Sequence, residues 1–259
     1  MGKSFAENNI TTNDKPREIY ETDLEQIIGT ARRIINQTEE NKVHFDYIKR
    51  NGRHPIFGYI NFLARRFLYN LTYTDVSKPD KEGGGGLMSF ATADLALWFD
   101  GFNPCKMNSE SKFGKAVYLN FATDSMLSSY NDRDKIINSF SGLGYGAKSE
   151  VDPDWWPDIL LLLPFGVGIA LEDGCHSALS LSLRGEYKAR VNEIYDFTDV
   201  VNEWEYQDGI LIKSSTGEKK DKCNILPESF FQLTVILFSI GKIMVEHGIS
   251  WNEYVDANN

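Results

Sequence analysis

The sequence predicts an α+β fold, with a helical N-terminal portion, a small mixed β-sheet and a C-terminal helix. Three observations carry this. Apolar residues recur at helical spacing from Leu24 to Ile35 and again from Phe57 to Leu71. Short runs of buried-strand type, bounded by Pro and Gly, fill the middle of the chain, among them Asp158–Leu163 and Tyr187–Tyr195. A last long apolar segment runs from Glu228 to about Glu246 behind Pro227.

In chain order, residues 1–20 are polar and rich in turn residues, and read as a loose arm. Thr22 and Asp23 are placed to cap a first helix reaching about Thr38, with Gly29 inside it. Glu39–Asn51 is charged and reads as an extension or connection. Pro55 opens a second helix at its first turn. Arg65-Arg66 on that helix reads as a solvated face, with an anion site as the lesser alternative. Ser77–Gly86 ends in four glycines, which are costly to order and have nothing to pack. It lacks the G-x-x-x-x-G-K-[ST] pattern of a phosphate loop and reads as a mobile loop or hinge. The expected division is therefore 1–86, helical with a glycine-rich linker, and 87–259, the α+β part.

Leu87–Asp100 reads as a helix stopped by Gly101-Phe102-Asn103-Pro104. Lys115–Phe121 suits a strand or a short helix, and Arg133–Phe140 a helix capped by Asn131-Asp132. Val151–Pro157 is extended and turn-rich, with Trp155 and Trp156 as lids over a core edge or, less simply, a stacking platform. Asp208-Gly209 between Glu203–Tyr206 and Ile210–Lys213 signals a hairpin. Ser214–Lys222 reads as a polar loop, and the sheet is expected between about Lys115 and Lys213. His247-Gly248 ends the last helix.

The totals bound the function. The chain has 259 residues, 42% hydrophobic and 25% charged, enough for one large domain or two small ones. A net charge of −10 argues against broad nucleic-acid binding, which needs a basic face. The three cysteines, Cys105, Cys175 and Cys223, fit neither a disulfide framework nor a zinc site, which suggests a reducing cytoplasm. No signal-peptide core or bilayer-length apolar run is legible, so a soluble protein off the membrane is expected.

The densest run of reactive side chains is Asp173-Gly174-Cys175-His176-Ser177, inside Val167–Asp196. It reads as strand, tight turn, short helix Ala178–Arg184, Gly185, strand. Ser177 suits the N-cap, and the unpaired N–H groups behind it form a ready anion site. Cys175 is either a thiol activated by the helix start and His176 or a buried, idle cysteine. His176 serves equally as an acid/base or a turn-stabilising group, and Asp173 as a turn residue, a base or a metal ligand. Glu172 reads as exposed and Glu186 as a strand end or second carboxylate. His44, His54 and His247 have no ligand-like spacing and read as structural.

This pattern resembles the ParB/sulfiredoxin superfamily. Asp173-Gly174-Cys175-His176 matches the D-G-x-H of a ParB-like D-G-x-H-R stretch, and Gly174-Cys175-His176 matches the G-C-H of the sulfiredoxin F-G-G-C-H-R segment. The likeness covers Asp158–Thr198. It implies a nucleotide or phosphate binder, a phosphotransferase or a hydrolase, with Mg²⁺ accompanying the nucleotide. Asp173, Cys175 and His176 would be the reacting groups, and Gly174, Ser177, Ala178 and Arg184 the ligand-holding ones. Ser177 stands where the family has an arginine, so the bidentate phosphate fork is missing here. The alternative is a non-catalytic interaction or regulatory protein on the same fold, with a protein partner and a place in a conflict or defence system.

Overall fold

The first helical pattern becomes α1 (Glu21–Glu40), with Ala31 and Ile35 fully buried. The computed structural model describes residues 21–41, 53–76, 92–128, 138–139, 142, 158–171, 175–221 and 228–251. The second pattern becomes α2 (Ile56–Val76), whose buried Ile56, Ile60, Leu63, Ala64 and Leu68 form one stripe. Pro55 precedes it as expected, and the Phe57 N–H donates to the His54 carbonyl. Helix α3 (Thr92–Asp100) lies within the predicted Leu87–Asp100; residues 77–91, including the glycine run, lie outside the described residues.

Strand β1 (Cys105–Asn108) and helix α4 (Ser109–Phe113) follow. The Asn108 side chain accepts from the Glu110 N–H at 2.8 Å and caps α4. Strand β2 (Tyr118–Asn120) lies inside the predicted Lys115–Phe121, and β3 (Ser125–Leu127) comes next. Strands β4 (Ile159–Leu163) and β5 (Val167–Ala170) are buried at every position. Helix α5 (Cys175–Arg184) leads to β6 (Lys188–Asp196). A 3₁₀ turn (Val201–Glu203), β7 (Trp204–Gln207), β8 (Ile210–Lys213), β9 (Lys219–Lys220) and α6 (Glu228–Glu246) complete the chain.

The protein is α+β. Its main sheet runs β1-β6-β4-β5-β3, with β2 also on β6. Strand β6 is parallel to β4 along one edge. On its other edge β1 and β2 lie end to end, both antiparallel. Strand β4 is antiparallel to β5, and β5 is parallel to β3. Strands β7–β9 form a second sheet of their own, a correction to the single sheet expected up to Lys213. Asp208 (φ 46°) and Gly209 (φ 85°) take the left-handed backbone that a two-residue hairpin demands. Ser214–Lys222, expected as loop, contributes β9, which is too short for any alternation to reveal. Of the helix expected over Arg133–Phe140, only residues 138–139 are described. Val151–Pro157, with Trp155 and Trp156, lies outside.

One buried cluster joins residues on both sides of the glycine run, from Ala31 in α1 to Trp251 behind α6. Around Phe165, rings of Phe197 (5.8 Å) and Phe238 (5.9 Å) tie the β4–β5 turn to the end of β6 and to α6. Trp251 packs edge-on against Phe113 and beneath Arg53. It fills the space beside Gly166 so closely that an added Cβ there would come within 2.3 Å of its ring.

A polar tie crosses this core. Arg53 and Asp124 form a salt bridge in which the side chains are 8% and 3% exposed. The second Asp124 oxygen takes the Arg53 guanidinium at 3.1 Å and the Asn120 N–H at 2.7 Å. From α2, Asn61 donates to the Thr123 carbonyl at 3.0 Å, and Arg65 donates to the Phe121 carbonyl. Arg65 is thus half-buried and holds the β2–β3 turn, where a solvated charge was expected; Arg66 is the exposed member of the pair.

Asp124→Asn would set an amide against the Arg53 guanidinium and leave that charge buried without its carboxylate. The expected loss is about 3 kcal/mol or more in a urea unfolding series. Arg53→Met added to Asp124→Asn regains most of it, since the Asn oxygen still accepts from Asn120 N–H. A loss below about 1 kcal/mol in the single variant contradicts the buried-pair account.

Candidate functional site

Helix α5 begins at Cys175, so Cys175, His176 and Ser177 lie in its first turn. The expected start at Ala178, with Ser177 as cap, is corrected by one turn. The reason is local: Cys175, Ala178, Leu179 and Ser182 share one buried face, and continuing the helix back to Cys175 buries that residue with them. The first-turn N–H groups at this end have no partner within the helix. Asp173 and Gly174, like Glu172, lie outside the described residues.

Cys175 is 7% exposed. Its thiol donates toward the Ala170 carbonyl at 3.8 Å, and its own carbonyl accepts from Ser128 Oγ at 2.7 Å. Ser128 is itself buried, just past the end of β3. The cysteine therefore joins the end of β5 to α5 and β3, in the manner of a small core residue. His176 and Ser177 are half-buried, and Ser177 Oγ lies 3.4 Å from Ser139 Oγ. Ala178 is buried in the main core.

Arg184 stands at the far end of α5, about 13 Å from Cys175 at 1.5 Å per residue. It forms a bidentate pair with Glu186, at 2.8 Å to one carboxylate oxygen and 2.7 Å to the other. Of the expected set, Cys175, His176, Ser177 and Ala178 come together at the helix start, and Arg184 does not. Glu186 is the Arg184 partner. The helix end is closed as predicted: the Gly185 N–H donates to the Ser182 carbonyl and the Glu186 N–H to the Leu181 carbonyl.

Sequence reasoning missed Ser128 and Ser139. Both are serines in stretches with no motif, brought to α5 by tertiary packing. Among the described residues, no group of three or more His, Cys, Asp or Glu is arranged to hold a metal ion. No helix among them is long and apolar enough to cross a membrane.

The chain belongs to the family described as "Family of unknown function (DUF6710)", which it matches over residues 5–251. No curated protein and no solved structure matches it.

The two described cysteines should differ sharply toward a thiol reagent. Exposed Cys105 labels at once; Cys175 labels at least about a hundredfold more slowly, through opening of α5. The measurement uses Cys223→Ser, so that two thiols remain. Comparable rates would restore Cys175 as an accessible nucleophile.

Proposed function

We propose that this chain binds a nucleotide or another small phosphate-containing ligand on a divergent ParB/sulfiredoxin-like unit, β5–α5–β6. The ligand's phosphate sits at the start of α5. The observation that carries the reading is the placement of His176 and Ser177, half-buried in the first turn of a helix that follows a buried strand in the chain. The positive end of the helix dipole favours an anion there. The Ser177 hydroxyl offers one donor, and His176 a second donor or an acid/base group for phosphoryl transfer or hydrolysis. Mg²⁺ would travel with the nucleotide, and Asp173 is the carboxylate nearest to His176 in sequence. Burial of Cys175 argues for a supporting role beneath the site rather than attack on the ligand. A cytoplasmic setting belongs to the same reading.

A second reading is a non-catalytic interaction protein on this fold, within a conflict or defence system. Phe62 on α2 and Leu97 on α3 favour it, being 58% and 66% exposed.

The first reading is tested by thermal shift with ATP, CTP and Mg²⁺. A ligand at about a hundred times its Kd adds about 2.7 kcal/mol, which raises Tm by several degrees. His176→Ala should fold with an unchanged Tm in buffer and lose most of that rise. If neither nucleotide nor inorganic phosphate stabilises the unsubstituted chain, the second reading takes its place.

A further inference from the structure

The start of α2 carries a second titratable arrangement, formed by residues outside the Asp173–Ser177 motif. His54 is the N-cap of α2, and Pro55 fills the first helical position. The Ile56 N–H donates to His54 Nδ1 at 3.1 Å. A backbone N–H can only donate, so Nδ1 is the acceptor and Nε2 carries the ring proton. That Nε2 is buried with no hydrogen-bond partner. Glu39 at the end of α1 and His247 behind α6 both act on the ring electrostatically, and they touch each other at 2.8 Å. Arg53, next in the chain, is engaged by Asp124. The ends of α1 and α6 thus meet at the beginning of α2.

We infer that His54 is an acid-sensitive latch that holds the first turn of α2 only while its ring is neutral. Protonation puts a hydrogen on Nδ1, facing the Ile56 N–H, so the cap becomes a donor opposed to a donor. It also places a second ring charge beside His247 whenever that ring is protonated. Glu39 opposes the effect, since its carboxylate favours a charged ring, but it is already bonded to His247. Because Asn61 and Arg65 of α2 hold the β2–β3 turn, loosening of α2 reaches β3 and Ser128.

Burial holds the His54 pKa below the ordinary 6.5, with His247 adding to the drop and Glu39 working against it. The unfolded chain therefore takes up the proton first as pH falls. The stabilisation is fully present above about pH 6.5, and it is lost as pH falls from there through the folded-state value. Asp196 does not obscure this window. Burial raises its pKa, but bonds from Thr198 and Lys112 bring it below 3.8, so its own contribution is lost only in stronger acid.

The test compares the full chain with His54→Asn and His54→Ser, both of which keep an N-cap acceptor that does not titrate. Tm is followed from about pH 7.5 to about pH 5, together with hydrogen exchange of the Ile56–Tyr59 amides. The unsubstituted chain should lose several degrees more than either variant across this range, and its α2 first turn should lose protection before the rest of the core. Should one variant fail to fold, the other carries the comparison. Equal pH slopes in all three proteins, or loss of protection everywhere at once, would overturn the latch.

Discussion

Strand β4 is the constraint on which the rest of the structure depends. Its five residues, Ile159 to Leu163, expose almost no surface, and both edges are paired, with β5 on one side and β6 on the other. A strand hidden on both faces needs cover above and below the sheet. Each such side chain contributes about 1.5–3 kcal/mol when fully buried. The aromatic group of Phe165, Phe197 and Phe238 forms where the strand turns into β5 and where β6 ends. Helix α6, packed along that group, brings Gly241 so near Phe165 that a Cβ would lie 2.4 Å from the ring.

Polar ties set how the N-terminal helices meet this sheet. The Arg53–Asp124 pair is nearly dry, and pairs of this kind serve geometry more than net stability. Here the pair, with Asn61 and Arg65, fixes the turn that introduces β3. Strand β3 in turn brings Ser128 to the Cys175 carbonyl. A continuous physical chain therefore links the start of α2 to the start of α5, and both ends of it carry a histidine.

Much of the fold was legible where periodicity is long or turn chemistry is specific. Helices α1, α2 and α6 follow from apolar spacing, the β7–β8 hairpin from Asp208-Gly209, and β4 from an apolar run stopped by Pro164. Strand β1 escaped because Cys105, Lys106 and Asn108 are exposed and only Met107 is partly buried, leaving no alternation to read. The separation of β7–β9 from the main sheet is a tertiary outcome with no local signature. At the candidate site the sequence located the strand, the helix and the following strand but placed the helix start one turn late, because burial of Cys175, not capping by Ser177, decides it. Arg65 was misjudged for a related reason, and the cap that His54 forms was not foreseen. A charge or imidazole looks ordinary in sequence, and its partners, Phe121 and Ile56, are settled by packing and by the cap geometry.

What distinguishes α5 from the other helices is a first turn presenting His176 and Ser177 above a buried cysteine. In the proposed function this turn receives an anion. Titration of ¹⁵N-labelled protein with Mg²⁺–ATP, and separately with inorganic phosphate, reports on each backbone amide. An anion bound at this turn produces saturable shifts that are largest at Cys175, His176 and Ser177, at the positive end of the helix. Amides in that turn that stay fixed at saturating ligand, or shifts confined to other parts of the chain, would contradict it.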